Sequence, residues 1–131
     1  MASLGEKLQH AEWKTEKHVP VIEAPDKVAA GENFVVKVGV GKEIPHPNTT
    51  EHHIRWIALY FLPDEAKFPF DVARFEFNAH GESLAGPNQG PIHAWPVAEV
   101  NVALAKSGTF FAVAMCNIHG LWEGSWPIVV A

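Results

Sequence analysis

With 131 residues, 47% apolar and 19% charged, the chain has the composition of one globular domain, 1–131, and not of a disordered segment. Ten Lys+Arg against fifteen Asp+Glu give a net charge of −5, which argues against nucleic acid or an anionic membrane as the main partner. The single cysteine, Cys116, excludes an internal disulfide framework and paired-cysteine zinc or redox motifs. The apolar runs are too short to span a bilayer and the N-terminus lacks a signal-peptide core, so a soluble cytoplasmic protein is expected.

In chain order, Ser3-Leu4-Gly5-Glu6 fits a capping box and predicts a short N-terminal helix. From there the period is two. Val19–Glu23 reads as a short strand, and Phe34–Val40 as one with Phe34, Val36, Val38 and Val40 on its apolar face. His53–Phe61 alternates and then becomes wholly apolar, as a strand buried on both faces does. Val72–Asn78, Val97–Leu104, Thr109–Met115 and Trp126–Val130 complete the set, separated by Gly-, Pro- and Asn-containing turns. About seven short strands without a long amphipathic helix predict an all-β fold, an antiparallel β-sandwich or barrel. The segment Gly81–Trp95 is a long loop, of the kind that serves function or contacts a neighbouring subunit.

Eight histidines accompany the one cysteine, and several sit in short polar segments beside prolines or charges. Cys116-Asn117-Ile118-His119 follows an apolar strand and puts a thiol and an imidazole at one end of a sheet. A lone buried cysteine is more often a small hydrophobe than a ligand, but Glu16-Lys17-His18, Pro45-His46-Pro47 and Glu51-His52-His53 add three further imidazole loops. His52 and His53 are adjacent and point to opposite sides, so one of them faces a metal. His10, His80 and His93 read as structural or surface residues. Four imidazoles exceed what a closed structural zinc site with a thiolate needs. Blue copper usually adds a weak axial Met after the histidine, whereas His119 is followed by Gly120-Leu121-Trp122-Glu123. Four imidazoles with one thiolate leave one coordination position open, an arrangement iron accepts. A cupredoxin-like electron carrier and an interaction module with structural zinc remain as alternatives at this point.

The blocks Glu16-Lys17-His18-Val19-Pro20, Gly41-Lys42-Glu43-Ile44-Pro45-His46-Pro47-Asn48, Glu51-His52-His53-Ile54 and Cys116-Asn117-Ile118-His119-Gly120 resemble the signature of the superoxide reductases of neelaredoxin type. The resemblance runs from about Trp13 over nearly the whole chain. It implies a seven-stranded immunoglobulin-like β-barrel, commonly a homotetramer, with one non-haem iron per chain. His18, His46, His52 and His119 would be equatorial ligands, Cys116 the axial one, and Glu16 the occupant of the sixth position on oxidised iron. Lys17 would assist superoxide at the open position. The implied reaction is one-electron reduction of superoxide to hydrogen peroxide, with electrons from rubredoxin or a similar carrier, for oxidative-stress defence. The four-cysteine N-terminal domain of one class of the family is not expected beside a single cysteine.

The charge balance makes sense of the lysine. A net charge of −5 repels a small anion, but surface fields are screened beyond roughly 8 Å at physiological ionic strength. One lysine about 4 Å from the anion contributes roughly 4 kcal/mol at an effective dielectric near 20, so the near charge wins.

Overall fold

The alternation read in the sequence becomes the wall of a core. The computed structural model describes all residues, Met1–Ala131, as one four-residue helix, α1 (Leu4–Lys7), and eight strands. The strands are β1 (Pro20–Glu23), β2 (Lys27–Val28), β3 (Phe34–Val40), β4 (Ile54–Pro63), β5 (Phe70–Glu76), β6 (Val97–Val102), β7 (Gly108–Cys116) and β8 (Gly120–Val130). They form a three-stranded sheet, β1-β3-β6, and a five-stranded sheet, β2-β8-β7-β4-β5.

In β3 the residues Phe34, Val36, Val38 and Val40 are buried, and they face Phe110, Ala112 and Ala114 of β7 across the sandwich. β-branched residues at period two suit a pleated strand with one wet face, and the apolar surface removed from water between the sheets holds them together. The same parity carries on to Cys116, which is fully buried at the end of the inward row of β7. The thiol therefore sits at one end of the core because strand alternation puts it there.

The expected seven antiparallel strands become eight. The additional one, β2, is a two-residue segment that pairs parallel to the end of β8; two residues carry no periodicity to read. β8 also begins at Gly120, six residues before the expected Trp126. Pro127 is tolerated within it because β2 pairs only with Val129 and Val130, leaving no partner strand for the missing N–H. β5 lies two residues earlier than Val72–Asn78. The helix forms, but Ser3 makes no side-chain cap, and its single turn rests on backbone bonds from Glu6 N–H to Ser3 and Leu8 N–H to Leu4.

One irregularity orients the site. Against β7, Ile54 lies opposite Cys116 and Trp56 opposite Met115, so Arg55 is an extra residue, a bulge. It shifts the alternation by one, so that Ile54 instead of Arg55 joins Ile57, Leu59 and Phe61 on the core side. No helix is long and apolar enough to cross a membrane.

Candidate metal centre

Four loops converge at the Cys116 end of the sandwich. His18 lies two residues before β1. His46 stands in the loop after β3, entered through Gly41, whose φ of +89° is a left-handed conformation that glycine adopts freely. His52 lies just before β4. Cys116 ends β7, and His119 closes the tight turn into β8 through Gly120 at φ +82°.

The imidazoles form a closed four-sided figure. Ring centroids are 4.9 Å apart for His18–His46, 4.8 Å for His46–His52, 5.0 Å for His52–His119 and 4.7 Å for His119–His18. The diagonal from His18 to His52 is 6.4 Å. Donor atoms of His18, His52, Cys116 and His119 all lie within 4.8 Å of one another. Cys116 Sγ is 3.8 Å from His119 Nδ1, which in turn is 3.1 Å from His18 Nε2.

The hydrogen bonds behind the rings set the tautomers. His46 Nδ1–H donates to the carbonyl of Pro47 at 2.7 Å, and His18 Nδ1–H donates to Glu16 Oε1 at 2.5 Å. In His46, which is neutral, this leaves Nε2 as a bare lone pair. Burial pulls the His46 pKa down to about 4. Burial, followed by the charges of His119, His18 and Lys17, lowers that of His52. Both rings are neutral at neutral pH. His46 Nε2 and His52 Nε2 are buried without a hydrogen-bond partner. Such orphaned buried nitrogens are costly unless something satisfies them, and a metal cation fits: borderline imidazole nitrogens together with a thiol suit a transition metal.

The remaining groups tune this cluster. His119 N–H donates to Cys116 Sγ at 3.3 Å. Glu16 Oε1 also accepts from the backbone N–H groups of Lys17 and His18. The His18 ring bond is the main cause holding the Glu16 carboxyl below its usual range. In this arrangement Glu16 grips the outer nitrogen of His18. Lys17 is half-buried, forms no ion pair, and its charge is near enough to depress both His46 and His52. The other histidines lie elsewhere. His53 donates through Nδ1 to Thr49 O and stacks at 3.5 Å on the buried His80. His80 itself lies between Asn48 Oδ1 and Phe77 O. His10 is exposed beside Glu123, and His93 bridges the His80 backbone. No thioether accompanies the thiol: Met115 alternates to the other face of β7, and Met1 is exposed.

Sequence reading passed over several supports. Trp122 stacks on the His18 ring at 4.8 Å and 14°, and its Nε1–H donates to His119 O, as does Gln9 Nε2. The long loop 81–95 braces the His52 segment: Asn88 Nδ2 donates to Glu51, Asn88 Oδ1 accepts from Thr50 N–H, and Asn48 Nδ2 donates to Ala94 O. Only the length of that loop marked it in the sequence. The largest groove, about 470 Å³ between Trp13 and Trp126, holds none of the cluster.

Comparison with known proteins adds an independent line. The family model described as Desulfoferrodoxin matches residues 10–125. The neelaredoxin of Megalodesulfovibrio gigas is 53% identical, with 93% of this chain and 94% of that one covered. The superoxide reductase of Pyrococcus furiosus is 53% identical, with 92% and 94% covered. A Thermotoga maritima relative of known crystal structure, 53% identical, superposes with a TM-score of 0.97 over 100% of this chain and 99% of its own.

Proposed function

This chain belongs to the desulfoferrodoxin family, and we propose that it is a superoxide reductase, converting superoxide, one electron and two protons to hydrogen peroxide. The observation that carries the reading is the four-sided set of imidazoles, two with orphaned buried nitrogens, beside a buried thiol. With iron in place, His18, His46, His52, His119 and Cys116 would hold it, and the metal would supply the one-electron couple and an open position.

The chain's own groups do the rest. Glu16 and the Pro47 carbonyl hold protons on the outer nitrogens of His18 and His46, so the inner nitrogens stay ligands and not acids. The His119 amide donates a hydrogen bond to the Cys116 sulfur and orients it. Lys17 Nζ, free of a carboxylate partner, draws the substrate anion in and donates a hydrogen bond to it. Glu16, whose carboxylate is bonded to the His18 ring, would be a further oxygen donor to the metal once released from that ring. Ile118, 59% exposed, and the exposed His119 give an external one-electron carrier of rubredoxin type an edge to approach. A homotetramer in the cytoplasm completes the reading, on the family resemblance.

The test is metal content measured together with superoxide consumption. One iron per chain and superoxide loss with peroxide but no oxygen evolved is expected; oxygen appearing in step with peroxide would mean dismutation and refute a reductase.

A further inference from the structure

His52 differs from its neighbours in one respect. His18 and His46 each have a ring nitrogen fixed by an acceptor, Glu16 and Pro47. The His52 ring makes no hydrogen bond at all; its only bonds are through its backbone, where N–H donates to Thr49 Oγ1 at 3.0 Å and O accepts from Thr49. Beyond its packing against the His46 and His119 rings, the direction of this ring is therefore set through the main chain. That main chain lies outside the β-ladder, because the last β4–β7 pair is Ile54 opposite Cys116, with the Arg55 bulge next to it.

Asn117 takes over where the ladder stops. Its Oδ1 accepts from His53 N–H at 2.9 Å, its Nδ2 donates to Glu51 O at 2.9 Å, and its backbone N–H donates to His53 O at 3.2 Å. All three bonds land on the two residues flanking His52, and all start from the residue after Cys116. A primary amide is the side chain for this task, since it donates to a carbonyl and accepts from an N–H at once. We propose that Asn117 is a positioning residue that fixes His52 relative to Cys116 by clamping the main chain on both sides of it. The inference rests on the reading of His52 as a metal ligand. It assigns the second residue of the Cys116–His119 turn a role distinct from that of either ligand beside it. The chemistry is that of an outer partner of a metal ligand, acting through backbone instead of ring, and losing such a partner typically weakens metal affinity about 10–100-fold.

The test is a double-mutant cycle on the full chain, with ferrous iron titrated against a competing chelator under anaerobic conditions. Asn117→Ala should weaken iron binding at least about tenfold, and the oxidised protein should show a broadened thiolate-to-iron absorption band. In a His52→Ala background the same substitution should change affinity little, because the ring it positions is gone. Unchanged affinity in Asn117→Ala, or an equal loss in both backgrounds, would overturn the proposal. If melting of the metal-free protein shows that Asn117→Ala does not fold, Asn117→Asp runs the same cycle with the same criteria. It keeps the acceptor for His53 N–H, removes the donor to Glu51 O and sets a carboxylate against that carbonyl. A different result, wild-type affinity in His52→Ala alone, would bring down the ligand reading and the positioning role with it.

Discussion

The metal-free protein should lose stability in mild acid, and His46 should account for a defined share of the loss. The ring is 7% exposed, and burial brings its pKa from 6.5 down to about 4. For an imidazole depressed on folding, the unfolded chain takes up the proton first, so stability falls as pH drops from the unfolded value toward the folded one. Integrating the two titrations gives a loss of about 2 kcal/mol between about pH 7 and pH 5, approaching about 3 kcal/mol below pH 4. In a chain of this length that is roughly 8 °C of melting temperature over the first interval. The assay is thermal melting of iron-free wild type and His46→Gln across this range. His52 and His80 are also lowered by burial and contribute to both curves, so the difference between the two proteins isolates His46. Parallel pH profiles would refute the reasoning, and so would a steeper one for the variant. Iron should flatten the wild-type profile, because a metal-held nitrogen resists protonation until the metal leaves.

Three further outcomes follow from the same geometry. Lys17→Ala should slow superoxide capture by about tenfold and flatten its dependence on ionic strength, read by pulse radiolysis at several salt concentrations; capture at the wild-type rate would remove Lys17 from the site. Gly41→Ala puts a Cβ 2.8 Å from His46 N at a φ of +89°, so it should cost about 1–3 kcal/mol and weaken iron retention through the displaced His46 loop, measured by melting and chelator competition. Phe110→Ala, at a fully buried position between the sheets, should cost about 3–5 kcal/mol in denaturant unfolding while leaving the spectrum of the folded, iron-loaded fraction unchanged.

What could be read in advance was local, and what could not was a matter of pairing. Phe34–Val40 announces its buried face because the alternation lies within seven adjacent residues. The first half of β8 stays hidden because Gly120, Glu123 and Gly124 give no alternation, and only the ladder to β7 makes a strand of them. The ligand loops were legible for the same local reason, each being a short block with its histidine in place. Between His52 and His53 the resemblance points to His52; what the sequence hides is that His53 stacks on His80 and that the Arg55 bulge follows, a two-against-one count between β4 and β7 that neither strand contains alone. The supports follow the same rule. Glu16 behind His18 is two residues away and shows in the sequence, though for a different task, whereas Gln9 reaches His119 O from 110 positions away and leaves no local mark. A metal centre drawn from four loops thus shows its donors in the sequence, while the contacts that aim those donors belong to the register of the sheet. Variants of Trp122, Gln9 and Asn117 are accordingly where site geometry can be altered without removing a single ligand.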